Sequence, residues 1–319
     1  MVLEWSDHDV DGMLVREARD PAVARERGRV LMVPGSLHGW WAYERWMPVF
    51  ARAGWTPLAM SLPDHTGSRT VPAREFLALT PADYAAEVRT VLDRTRGPGG
   101  VPAVLLGHSM GGLLAQLVAA GPDPLDALVL VSPVGPGRLG PMRATPYPPD
   151  RPVTVSRDQA REQWFRHLPD PELDAVTARL TPESPGVVNA YSDGSVPVDT
   201  GAIRCPVLVV GPEDDRSPVH DVRRVADLYG VAPLLVPDVG HDMMLEDKGL
   251  SAAGAVTAWL DRHAGGNETA GGNETAGGNE TAGGNATAGG NATAGGNATA
   301  GGNEAAGRSA AARPGEGAG

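Results

Sequence analysis

The segment VLLGHSMGGLLAQLVA, residues 104–119, constrains the fold of this chain more than any other. An apolar run of the kind that forms a buried strand stops at Gly107, and a run with helical apolar spacing begins at Gly111. Gly107, Gly111 and Gly112 crowd around a single serine, Ser109. Such glycines either let a strand pass close under a helix, or let the serine stand on a strained turn with its hydroxyl exposed. Both readings need a buried strand packed directly against a helix, so the chain must build a sheet covered by helices.

The remainder of the chain follows that pattern. The apolar runs Val30–Val33, Thr56–Ser61, Val101–Leu106, Ala127–Ser132, Val207–Val210 and Leu234–Val236 read as strands. Segments with helical spacing lie over about 42–53, 81–95, 111–120, 218–229 and 249–262. In Pro81–Thr95 a proline starts the segment, and Tyr84, Val88, Val91 and Leu92 share one face. Continuous apolar strands alternating with helices predict an α/β fold, a mostly parallel central sheet with helices on both faces. Residues 133–200 break the alternation with a Pro- and Gly-rich stretch followed by short amphipathic segments around 157–168, 170–180 and 183–191. An insertion between two core strands lies over the strand ends, so a small helical lid is expected there.

The C-terminal part cannot belong to this core. From Gly265 to Ala306 a hexad repeats: GGNETA three times, GGNATA three times, then GGNEAA. With no aliphatic side chain larger than alanine and no aromatic, the stretch cannot bury enough surface to offset chain entropy. A β-helix of hexads would need a large apolar residue in each repeat. Residues 1–263 are therefore expected to form one domain, and 264–319 a disordered repeat tail. The formal charge is −12, of which the tail's five Glu and two Arg contribute −3 and the rest −9. An acidic body argues for a small-molecule substrate and against nucleic acid or an anionic membrane surface. The single cysteine, Cys205, excludes an internal disulfide. The acidic N-terminus lacks a secretory pattern and no apolar run reaches the length of a membrane span, so a cytoplasmic protein is expected.

Strand, G-x-S-x-G, then helix is the context in which a serine becomes a nucleophile, with free N–H groups at the helix start available to an oxyanion. A serine nucleophile needs a base, and the base needs an orienting acid. Among the eight histidines, His241 in PDVGHDMML follows the last strand and precedes the last helix, at the same sheet edge as Ser109. It is the expected base, with His65 and His38 as fallbacks; His108 adjoins the serine and should point away from it. The acid belongs on a strand-end loop between serine and histidine, where VLVVGPEDDRSPV offers Glu213, Asp214 and Asp215. Asp215 is the choice and Asp214 the alternative.

With these residues in place the chain resembles the α/β-hydrolase family across residues 25–262. The matching pieces are VLMVPGSLHGWW, GHSMGG, VLVVGPEDDRSPV and VGHDMML, in the order Ser, Asp, His. The resemblance implies the α/β-hydrolase fold, Ser109, His241 and Asp215 as the catalytic residues, and the backbone N–H groups of Met110 and Ser36 as oxyanion donors. Two departures are Pro34-Gly35 where the family often has His-Gly, and Asp64-His65 where it commonly has Gly-His.

Other signals weigh less. Asp7–Gly12 resembles the opening of a calcium loop, but Ala18 stands where its glutamate is required, so a hairpin turn at Asp11-Gly12 is expected instead. No cofactor or metal is expected. Trp40 or Trp41, just after the oxyanion loop, is expected to line an acyl pocket, with His38, Trp164 and Met243 adding to its walls. The chain then reads as a serine hydrolase cleaving a carboxylic ester or thioester of a medium-sized, fairly apolar substrate. An acyltransferase, cyclase or lyase with the same residues, or a non-catalytic binding protein, are the alternatives.

Overall fold

The computed structural model describes residues 2–264. The tail expectation falls, from Gly265 on, outside the described residues.

One eight-stranded sheet carries the fold, in the order β1-β2-β4-β3-β5-β6-β7-β8. Its strands are β1 (Glu4–Val10), β2 (Met13–Arg19), β3 (Gly28–Val33), β4 (Trp55–Met60), β5 (Ala103–His108), β6 (Ala127–Val131), β7 (Val207–Pro212) and β8 (Leu234–Val236). From β4 to β8 all pairings are parallel; β1 and β2 form an antiparallel edge hairpin. Asp11 (φ 52°) and Gly12 (φ 85°) make the turn of that hairpin, as the Asp-Gly pair leads one to expect. The flanking strands themselves are not among the sequence-derived ones, because β1, EWSDHDV, is polar and exposed along its length.

The helices are α1 (Met47–Arg52), α2 (Ala73–Ala78), α3 (Pro81–Thr95), α4 (Met110–Ala119), α5 (Arg157–Gln163), α6 (Asp170–Thr177), α7 (Pro185–Ser192), α8 (Val222–Asp227) and α9 (Leu250–His263). The central strands are buried on both faces, so the core divides into two apolar clusters. One packs α1 and α9 against the sheet through Trp46, Phe50, Val256 and Leu260. The other packs α3, α4 and α8 on the opposite face through Tyr84, Val88, Leu114 and Val225. Thr80 caps α3 in a reciprocal pair with Asp83, and Pro81 supplies its fixed φ at the first turn. The predicted helix over 42–53 is instead a short 3-10 turn, Trp40–Tyr43, followed by α1.

Residues between β6 and β7 leave the sheet and carry α5, α6 and α7. Their small core (Ala160, Phe165, Leu168, Leu173 and Val176) closes on Trp41 and Leu245 of the body. The insertion is pinned to the loop after β3 where Thr181 N–H donates to the Leu37 carbonyl at 2.9 Å. Among the described residues, no helix is long and apolar enough to cross a membrane.

Candidate active site

Ser109 stands between β5 and α4 with φ 51° and ψ −120°, a region that residues with a Cβ avoid. Its neighbours hold it there. The Ser109 N–H donates to the Val131 carbonyl at 3.0 Å, and its own carbonyl accepts from Gly112 and Val134 N–H at 2.9 Å each. A Cβ added at Gly107 would lie 2.2 Å from the Gly111 oxygen, and one at Gly111 2.3 Å from the Val33 oxygen. The two readings of these glycines are thus one: close passage of strand and helix is what forces the serine onto its strained turn. A Cβ at Gly35 would come 3.1 Å from the Ser109 Cβ, so the loop after β3 lies directly against the serine.

That loop presents Ser36, while Met110 opens α4, where the first N–H groups have no intrahelical acceptor. The Ser36 hydroxyl lies 3.3 Å from the Met110 sulfur and 3.1 Å from the Tyr191 hydroxyl on α7. Leu37 follows with φ 68°, another strained residue. Its N–H donates to Glu183 Oε2 at 3.2 Å.

His241 lies in the loop after β8, buried, with its Nδ1–H donated to Asp215 Oδ2 at 2.8 Å. The other Asp215 oxygen accepts from Ser217 N–H at 2.9 Å, which fixes the carboxylate plane. Burial alone would lower the His241 pKa, but the Asp215 carboxylate outweighs it and raises the value above the ordinary imidazole range. The His241 Nε2 has no hydrogen-bond partner and lies in the wall of the cleft that Ser109 also lines. Asp214, by contrast, is 71% exposed and pairs with Arg166 at 3.1 Å. Asp214 turns to the surface, and Asp215 is the one that faces the histidine.

Three further buried groups surround this set. Asp242 is fully buried and 3.3 Å from His38 Nε2, with His108 Nδ1 at 3.8 Å; neither of its oxygens is hydrogen-bonded. Burial raises its pKa. His38 donates Nδ1–H to the Ser36 carbonyl at 2.7 Å, so it braces the loop beside Ser109. His108 turns away from Ser109, as expected, and donates Nε2–H to the His241 carbonyl at 3.2 Å; burial lowers its pKa and keeps it neutral. On the other side, Glu183 accepts from Tyr84 OH and Ser184 N–H at 2.9 Å each and from Leu37 N–H and His65 Nε2–H at 3.2 Å each. His65, a fallback base, is therefore committed to Glu183 and to the Pro63 carbonyl, and it does not line the cleft over Ser109.

The cleft over Ser109 holds about 710 Å³ of space between atoms, its open mouth included. His38 and Trp164 line it, joined by Val153, Val155, Val188 and Tyr191. Trp40, Trp41 and Met243, expected in its walls, are not there. The 3-10 turn Trp40–Tyr43 aims Trp41 into the small core of the insertion and leaves Trp40 beneath the guanidinium of Arg16, while Met243 is buried in the main core. Glu183, Asp242, Tyr191 and Arg143 of this region escaped the sequence. Glu183 in particular precedes a Ser-Pro helix start, where a glutamate reads as a surface residue. Among the described residues, no group of three or more His, Cys, Asp or Glu is placed to hold a metal ion.

The chain belongs to the alpha/beta hydrolase family, whose model matches residues 30–253. Solved structures share the fold at low identity. An N-acyl homoserine lactonase complexed with N-butanoyl homoserine is 16% identical, with TM-score 0.59 over 81% of this chain and 97% of that one. A methylesterase from Arabidopsis is 17% identical, with TM-score 0.57 over 74% and 98%. A thioesterase domain from the curacin biosynthetic pathway is 15% identical, with TM-score 0.57 over 82% and 99%.

Proposed function

We propose that this hydrolase cleaves a carboxylic ester or thioester through an acyl-enzyme on Ser109, with His241 as general base and acid and Asp215 as the orienting acid. The observation that carries the reading is the His241 ring itself. One nitrogen is committed to Asp215 at 2.8 Å, and the other is unpaired in the wall of the cleft that the strained, part-exposed Ser109 also lines. The Ser109 oxygen attacks the carbonyl carbon and its proton passes to His241 Nε2. The carbonyl oxygen becomes an oxyanion held by the N–H groups of Met110 and Ser36. Collapse expels the alcohol or thiol, which takes the proton from His241. Water then repeats the sequence on the acyl-serine, releasing the acid and restoring Ser109.

The apolar part of the cleft supports a fairly apolar, medium-sized acyl or alkoxy group, the acidic body supports a small molecule as partner, and the single cysteine fits a reducing, cytoplasmic location. Turnover of a p-nitrophenyl ester series by wild type and Ser109→Ala tests the reading. Loss of nearly all turnover in the variant is expected; more than a tenth retained rules out the acyl-enzyme. Repeating the series with added alcohols separates hydrolysis from acyl transfer.

A further inference from the structure

The cleft is lined by buried ionisable groups, His38, His108, His241 and Asp242, and by one side chain of a different kind. Among the described lining residues Arg143 is the one permanent cation, and it is exposed. It stands in the stretch between β6 and α5, on the lid. No carboxylate of the described residues lies within 4.0 Å of it.

The arginine is nevertheless held. Its backbone N–H and that of Met142 both donate to the Ser192 carbonyl, at 3.2 and 2.7 Å, so this irregular stretch is clipped to the end of α7. The guanidinium stacks on the Tyr147 ring at 4.1 Å, donates from Nε to the Thr145 carbonyl at 3.2 Å, and from Nη1 to the Tyr147 hydroxyl at 3.0 Å. Tyr147 is itself fixed by a reciprocal pair with Asn189: its N–H donates to the Asn189 side-chain oxygen at 2.7 Å, and its carbonyl accepts from the amide nitrogen at 3.0 Å. These contacts leave both Nη2 hydrogens and one on Nη1 without a protein acceptor, and one from each nitrogen can grip a planar carboxylate end-on. Tyr191, from α7, links this group to the reacting end of the cleft. Its hydroxyl is 3.1 Å from the Ser36 hydroxyl, and it lies within electrostatic reach of Arg143.

We propose that Arg143, oriented by Tyr147, is an anion subsite on the lid, and that the substrate is an ester or thioester bearing a carboxylate at some distance from the scissile carbonyl. This rests on the hydrolase reading above and narrows it. The apolar walls take the chain between the two functional groups, while a fixed, unpaired cation at the mouth selects the end of that chain. An exposed ion pair is worth little, but an oriented, bidentate one, its guanidinium already held in place, should favour the charged ligand by about tenfold.

Calorimetric titration of Ser109→Ala, which cannot turn substrate over, reads the subsite without chemistry. The ligands are monomethyl succinate, glutarate, adipate, pimelate and suberate, each against its dimethyl ester. For at least one chain length the monoanion is expected to bind about tenfold more tightly than the neutral diester. That preference should vanish in Ser109→Ala/Arg143→Gln and survive in part in Ser109→Ala/Arg143→Lys. Equal binding of both series, or a preference that persists in the Arg143→Gln background, overturns the subsite. Turnover of the same esters by wild type is scored separately. Arg143-dependent binding without any hydrolysis leaves the subsite standing and refutes the hydrolase reading instead.

Discussion

Replacing Glu183 by glutamine tests the least foreseeable feature of the site. The carboxylate is fully buried and accepts four hydrogen bonds, two on each oxygen. An amide puts one NH2 where an acceptor stood. If it replaces Oε2, the Leu37 N–H loses its acceptor; if it replaces Oε1, the Ser184 N–H does. One buried donor left bare costs about 1–3 kcal/mol, and losing one charge of a buried pair about 3–5 kcal/mol. The two overlap here, so a loss of about 3 kcal/mol is expected, or roughly 6–12 °C in Tm for a domain of this size. The loss should depend on pH. Burial alone would lower the His65 pKa, but Glu183 outweighs it and raises the value; burial would raise Glu183, but His65 outweighs it and lowers the value. The His65 share is full below the ordinary imidazole value of 6.5 and fades as pH rises through the raised folded value. The Glu183 share is full above the ordinary carboxyl value of 4.5 and fades as pH falls through the lowered folded value. The gap between wild type and Glu183→Gln should therefore be widest between pH 4.5 and 6.5. Because Leu37 is held at φ 68° through this carboxylate, kcat should also fall, by about tenfold. Thermal unfolding across pH with parallel ester kinetics provides the assay. Unchanged Tm throughout that window, or a gap that grows outside it, refutes the ionic hub.

Other perturbations have equally specific outcomes. Asp215→Asn should cost roughly three to four orders of magnitude in rate and Asp214→Asn almost nothing, because only Asp215 meets His241. The acid limb of the kcat/KM profile should move to lower pH in Asp215→Asn, since the carboxylate is what raises His241. Gly111→Ala drives a Cβ to 2.3 Å from the Val33 oxygen, a backbone atom that cannot step aside, and should lower Tm and abolish turnover. Gly254→Ala in α9 meets nothing within 4 Å and should stabilise the protein by about 0.5–1 kcal/mol, as denaturant unfolding would show. His38→Phe removes the donor to the Ser36 carbonyl and should lower kcat by about tenfold with KM little changed.

How much of this was legible beforehand depends on the kind of residue. The parallel strands announced themselves because burial on both faces demands continuous apolar runs, as in AVLLGH and ALVLV. The edge strand β1 did not, since its exposed face and open edge allow a polar sequence. That Ser109 sits on the strained turn after β5, and that His241 and Asp215 meet on strand-end loops, was readable because such turns and loops leave positional marks in the chain. Glu183 and Asp242 were not. Their burial comes from contacts with the loop after β3, Leu37 on Glu183 and His38 on Asp242, between segments far apart in sequence that carry no periodicity. Trp40 and Trp41 misled for a related reason: the 3-10 turn at Trp40–Tyr43 decides which way each ring faces, and composition does not.

The most direct test of the central claim is peptide-resolved mass spectrometry after exposure to a fluorophosphonate. A single covalent adduct is expected on Ser109 in wild type, absent in Ser109→Ala and formed far more slowly in Asp215→Asn or His241→Ala. An unlabelled wild-type protein, an adduct on another serine, or equal labelling rates with and without His241 would contradict a serine nucleophile activated by this histidine.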